Sequence, residues 1–144
     1  MENIGGKEKV DILLVTFQRL NLLKITIKAI NVRTKYPYRL IVIDNDSTDG
    51  THDWLLKAKE KGLVDTLIFM PENVGLGKAY QEGLKHIESE YFVVCADDLI
   101  PPLLKPCWLE QELETIKENP DYAGIAMKCC RISKFNDLDK DLKD

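Results

Sequence analysis

The sequence predicts an α/β domain, a doubly wound and mostly parallel sheet with helices on both faces. Three observations lead there. Short β-branched runs alternate with amphipathic stretches of helical length from one end to the other. Strands separated by helices imply right-handed crossovers and hence parallel pairing. A chain of 144 residues is one domain, whereas a closed barrel of eight strand-helix units takes about 250 residues.

Each element has its own signal. The run Val10–Thr16 is short and rich in β-branched residues and reads as a buried first strand. Asn21 then serves as N-cap of a helix to Asn31, with Leu23, Ile27 and Ile30 along one stripe. The second strand, Tyr38–Asp44, runs into Asn45-Asp46-Ser47-Thr48-Asp49-Gly50, a block of turn and cap formers. A helix over 51–61 stops at Gly62, and a third strand over 66–70 ends at Pro71. The next helix starts near Gly75 and reaches Glu88, placing Leu76, Tyr80, Gly83, Leu84 and Ile87 on one face. A fourth strand covers 91–95. After Pro101-Pro102 comes a helix carrying Leu109, Leu113 and Ile116, halted at Asn119-Pro120. A fifth strand is expected over 122–130. The domain is thus expected over residues 1–130, with 131–144 a poorly ordered charged tail.

Composition narrows the function classes. The chain is 44% hydrophobic and 31% charged, as globular proteins are. Its apolar runs are strand-sized, far short of the roughly 20 residues that cross a bilayer, and residues 1–10 form no apolar signal region. A cytoplasmic location is the expectation. A net charge of −4 speaks against nucleic-acid binding. Cys95, Cys107, Cys129 and Cys130 form no C-x-x-C pair and read as free thiols, and His52 and His86 lie apart from them and from each other, so no zinc set forms.

Ligands of open α/β sheets bind beyond the carboxyl ends of the strands. Four loops meet that edge: Thr16-Phe17-Gln18-Arg19, Asp44-Asn45-Asp46, Glu72-Asn73-Val74-Gly75 and Asp97-Asp98. They offer a hydroxyl, an arginine, an isolated acid, an amide beside glycines, and an acid pair. That inventory suits a nucleoside diphosphate: carboxylates hold a hard divalent cation, which neutralises the phosphates. Asp44 can accept hydrogen bonds from a base edge. The 75–78 segment opens a helix, where free N–H groups and Lys78 favour an anion.

Other phosphate motifs fail on position. A dinucleotide fingerprint needs glycines directly after the first strand, and Thr16-Phe17-Gln18-Arg19 has none. Gly75-Leu76-Gly77-Lys78 lacks the full P-loop spacing. Sugar nucleotidyltransferases also favour a glycine-rich first loop, and phosphoacceptor domains an acid pair there.

Val10 to Arg19, then Ile41 to Thr51, resemble the opening of family 2 glycosyltransferases of the GT-A fold. Asn73 to Gly83 is similar to that family's third motif, and Ala96-Asp97-Asp98-Leu99-Ile100-Pro101-Pro102 to its metal-binding D-x-D region. The four stretches, in the family's order, cover nearly the whole chain. The resemblance implies that Thr16, Phe17 and Arg19 line the nucleotide pocket and that Asp44 contacts the base. It further implies that Asn73, Gly75 and Lys78 border the donor, that Asp97 faces ribose or diphosphate, and that Asp98, with Asp97, ligates Mn²⁺ or Mg²⁺. The implied activity is inverting transfer from a nucleotide sugar, a UDP-sugar favoured, to an unassigned acceptor, with a homo-oligomer as one possible state. Three departures stand out: Gln18 and Gln81 replace asparagines, and Ala96 takes the first acidic position of D-x-D.

Plainer roles suit other residues. Asp46, Ser47 and Asp49 read as turn and cap residues, Asn73 can satisfy backbone groups, and Trp54 and Trp108 read as packing residues. For Asp44 and Asp98 function is the better reading, since an acid ending an apolar strand is costly to bury unless paired or ligated. The general base of the resembled family follows the fifth strand, and the sequence singles out none among Asp137, Asp139 and Asp141. The alternative function is a non-catalytic nucleotide-sugar binding or interaction module.

Overall fold

The structure is a computed structural model that describes residues 6–127, 130–131 and 138–143. Strands β1 (Val10–Thr16), β2 (Tyr38–Asp44), β3 (Thr66–Phe69) and β4 (Phe92–Ala96) form one sheet in the order β3-β2-β1-β4, every pair parallel. All seven residues of β1 are buried, which explains why the apolar residues 12–15 follow one another without alternating with polar ones. Alternate residues serve opposite faces. Ile12 and Leu14 of β1 meet α1 (Leu20–Arg33), α2 (Thr51–Glu60) and α4 (Trp108–Glu118) on one side. Leu13 and Val15 meet α3 (Leu76–Leu84) on the other.

Helix boundaries follow local chemistry. Helix α1 starts at Leu20, one residue before the expected cap, because Asp49 Oδ2 accepts the Leu20 N–H at 3.0 Å. The other oxygen of Asp49 accepts the Thr51 N–H and hydroxyl at the start of α2, so one carboxylate caps two helices. Helix α2 closes with a Schellman motif: Gly62 is left-handed (φ 74°), Gly62 N–H donates to Lys59 O, and Leu63 N–H donates to Ala58 O. Helix α3 ends at Leu84, short of Glu88, because 85–87 tighten into i to i+3 bonds. Asp11 then accepts the Glu88 and Ser89 N–H groups.

The fifth strand departs from expectation. Residues 122–127 form no strand, and among the described residues the extended pairing near there is β6 (Cys130–Arg131) against β5 (Leu99–Ile100), antiparallel in a separate two-stranded sheet. Ala123, Gly124 and Ala126 are poor strand formers. The segment instead lines an apolar groove of about 710 Å³ between β4 and α4. Residues 128–129, Cys129 among them, and the side chain of Cys130 lie outside the described residues.

Part of the expected loose tail is docked. Lys140–Leu142 makes one 3₁₀ turn, and Leu142 is buried in a small cluster with Ala29 and Ile100. Its charges anchor it: buried Arg33 binds Asp139 and Asp141 at 2.8 to 2.9 Å and donates to Pro101 O. The stretch 132–137, with Asp137, lies outside the described residues.

Candidate functional site

The carboxyl ends of β1, β2 and β4 stand side by side, since Thr16 is paired with Asp44 and Val15 with Ala96. Asp97 lies at the centre. Its Oδ2 accepts the Thr16 hydroxyl at 2.9 Å, and its backbone carbonyl accepts the buried Thr26 hydroxyl of α1 at the same distance. Arg19 Nη1 reaches Oδ1 of Asp97 at 3.3 Å and Oδ2 of Asp98 at 3.5 Å. Both acids are buried while the guanidinium is about half exposed. Burial raises the Asp97 carboxyl above the ordinary range, aided by the neighbouring Asp98 charge, although Thr16, Arg19 and the Phe17 N–H pull the other way.

A second cluster adjoins on β2 and β3. Asp44 is buried, and its Oδ1 accepts the Ser47 N–H at 3.0 Å. Asn45 donates from Nδ2 to Asn73 Oδ1 and accepts the Val74 N–H on Oδ1. Asn73 Oδ1 also accepts the Gly75 N–H at 2.9 Å. Gly75 has φ 82° and ψ 163°, a conformation open essentially to glycine alone. Gln18 ties the first loop to the second: its side chain bonds the Thr48 N–H and hydroxyl, and its N–H donates to Ser47 Oγ.

Among the residues expected at the site, Thr16, Arg19, Asp97 and Asp98 share one bonded cluster, and Asn73 and Gly75 share the second. Phe17 and Lys78 are exposed, Phe17 on the loop after β1 and Lys78 in the first turn of α3. Three residues escaped the sequence reading. Thr26 had a signal, a hydroxyl amid the apolar stripe of α1 that needs a partner once buried. Asn45 fixes the 73–75 loop, and Tyr80 of α3 donates to Cys95 O beside the acid pair. Burial pushes the Tyr80 phenol up to about 12, so it stays a donor.

The donor set fits a hard divalent cation. Mg²⁺-type sites commonly take one or two carboxylates and complete their shell with phosphate and water oxygens. Asp97 and Asp98 present such a pair, and among the described residues no third His, Cys, Asp or Glu joins them. No described helix is long and apolar enough to cross a membrane.

The family model described as "Glycosyl transferase family 2" matches residues 11–140. The chain belongs to that family. Solved structures agree on the fold. A mannosyltransferase from Pyrobaculum calidifontis, in complex with GDP-Man and Mn²⁺, is 26% identical with a TM-score of 0.60, over 65% of this chain and 28% of its own. S. aureus TarS in complex with UDP-GlcNAc is 19% identical with a TM-score of 0.66, over 78% of this chain and 32% of its own. Glucosyl-3-phosphoglycerate synthase from Mycobacterium tuberculosis, in complex with Mn²⁺, UDP and glucosyl-3-phosphoglycerate, is 24% identical with a TM-score of 0.55, over 73% of this chain and 39% of its own. This family 2 chain therefore has the GT-A fold and spans less than two fifths of each of these structures.

Proposed function

We propose that this family 2 chain is the donor-binding part of a glycosyltransferase that moves a sugar from a nucleoside diphosphate to an acceptor with inversion. The observation that carries the reading is the convergence of Thr16, Arg19, Asp97 and Asp98 at the sheet's carboxyl edge, one strand from Asp44. Asp98, with Asp97, would hold Mn²⁺ or Mg²⁺, and that cation would supply positive charge to stabilise a diphosphate leaving group. Asp44 accepts from the base edge, Phe17 and Thr16 line the nucleotide pocket, and Asn73, Gly75 and Lys78 border the donor. A UDP-sugar is favoured, since UDP or UDP-GlcNAc is named for two of the three solved relatives and GDP-Man for the third. The free thiol of Cys107 suits a reducing, cytoplasmic setting.

Ala96 favours a second reading, a nucleotide-sugar binding module without transfer, because a methyl group stands in place of an acid. Calorimetry with UDP-, GDP- and dTDP-sugars, in Mn²⁺ and in EDTA, tests the binding shared by both readings. Metal-dependent binding of one nucleotide is expected, and equal affinity in EDTA removes the metal. Sugar transfer across an acceptor panel separates the two.

A further inference from the structure

Two buried carboxylates side by side need a cation, and in this chain Arg19 supplies it. One nitrogen, Nη1, straddles one oxygen of each acid, at 3.3 and 3.5 Å. A divalent ion held by Asp97 and Asp98 would compete with that guanidinium. The grip is looser than that of the other buried ion pairs. Arg39 forks onto Asp11 at 2.8 and 3.1 Å, and Arg33 holds Asp141 through two nitrogens at 2.9 Å each. Arg19 makes single, long contacts from the solvent side, where its side chain is 49% exposed against 8% and 9% for the acids. The acid loop has further anchors, Thr16 on the far oxygen of Asp97 and Thr26 on its carbonyl. Arg19 can therefore depart without releasing that loop.

We propose that Arg19 is an exchangeable counter-ion: it holds the place of the divalent cation in the nucleotide-free protein and passes to the diphosphate when metal and nucleotide enter together. This rests on the donor-binding reading above. Guanidinium and metal compete for the same two carboxylates, so metal alone binds poorly. A diphosphate takes up the displaced guanidinium, so metal and nucleotide each strengthen the other by the same factor. Arg19 thereby guards the acid pair against occupation by free metal and couples metal capture to donor capture.

The test is Arg19→Gln, read by Mn²⁺ binding without nucleotide (paramagnetic resonance of free Mn²⁺) and by UDP calorimetry at saturating Mn²⁺. Effects of opposite sign are expected: Mn²⁺ alone binds about fivefold tighter and UDP about tenfold weaker. A simple phosphate contact, or a role in folding, would not tighten the metal. In the wild-type chain, Mg²⁺ alone should shift the Arg19 Nε–H resonance and leave those of Arg33 and Arg39 in place. That measurement stands even where Arg19→Gln does not fold. Unchanged or weaker Mn²⁺ binding by a folded Arg19→Gln, or an Arg19 resonance indifferent to bound Mg²⁺, overturns the exchange. Wild-type chain that takes Mn²⁺ but no UDP at any metal concentration overturns the donor reading and with it the diphosphate half of the exchange. The metal-only comparison still decides the other half.

Discussion

Thr16 and Asp97, 81 positions apart in sequence, meet in a hydrogen bond of 2.9 Å. Parallel pairing of β4 with β1 makes this possible, because Val15 lies beside Ala96 and the two strands end together. The hydroxyl occupies one carboxylate oxygen and leaves the other for Arg19 or a metal. A structural bond thus aims a functional group.

Thr16→Val removes that donor at nearly constant volume and leaves a buried carboxylate oxygen without its partner, at about 1–3 kcal/mol. Calorimetry should show UDP affinity in Mn²⁺ falling about tenfold. Thr16→Ser, which keeps the hydroxyl, should bind almost as the parent does. Equal loss in both variants would assign the effect to the methyl group and its packing.

Asp44→Asn separates base recognition from folding. The amide oxygen can still accept the Ser47 N–H that Asp44 Oδ1 now accepts, so the melting temperature should move by only a few degrees. Nucleoside affinity should fall about tenfold through loss of the charged acceptor. A variant that unfolds at the working temperature would make Asp44 a structural acid.

Asp11, at the opposite end of β1, governs acid stability. Burial alone would raise its carboxyl, but the Arg39 fork and the Glu88 and Ser89 N–H groups outweigh it and hold it below the ordinary value of 3.8. A carboxylate more acidic folded than unfolded stabilises the fold above its unfolded pKa, and that share is lost as pH falls through the lower folded value. Urea midpoints of the wild type should therefore drop as the pH falls below about 4. Asp11→Asn should start less stable and lose less over that window. Parallel curves would remove Asp11 from acid denaturation.

The strands that carry the site were legible because β1 and β2 bury both faces, which writes their boundaries as apolar runs ending at Thr16 and Asp44. The cap and turn roles of Asp49 and Ser47 were legible from residue type. The bonds that orient the site were not. Thr26 to Asp97 and Asn45 to Asn73 join residues far apart in sequence, and nothing local records which carbonyl or amide a buried side chain will meet. The docking of residues 140–142 was hidden for the same reason. The tail's charge pattern suggested solvent, and only the fold brings buried Arg33 to Asp139 and Asp141.

Gly83 and Gly77, both in α3, should respond oppositely to alanine. A Cβ at Gly83 would lie 2.5 Å from Leu13 Cδ1 and 2.6 Å from Ile43 Cδ1, both in the buried core. Overpacking there costs about 1–3 kcal/mol and exceeds the helix-propensity gain of about 1 kcal/mol. At Gly77 nothing lies within 4 Å, so only the gain applies. Thermal melts should place Gly83→Ala below the wild type and Gly77→Ala at or above it. The reverse order would mean that α3 can slide off the sheet without cost.

Arg33 sets the last prediction, which depends on which side of an ion pair is removed. Its side chain is only 3% exposed, whereas those of Asp139 and Asp141 are 73% and 26% exposed. Removing both acids strands a buried guanidinium that keeps Pro101 O as its remaining acceptor. Charge burial without a counter-charge is the expensive outcome, so Asp139→Asn with Asp141→Asn should cost about 2 kcal/mol or more. Arg33→Met leaves the two acids free to turn to water and keeps much of the buried stem volume. Its cost should be the smaller, with the loss concentrated in the tail. Hydrogen exchange can resolve this: in Arg33→Met, protection should fall at Leu142 and Lys143 N–H and persist in β1. The same exchange should report on the acid loop, because Arg33 holds Pro101 three residues after Asp98. Undiminished protection of the 140–143 turn in the double asparagine variant would mean that Leu142 alone docks the tail.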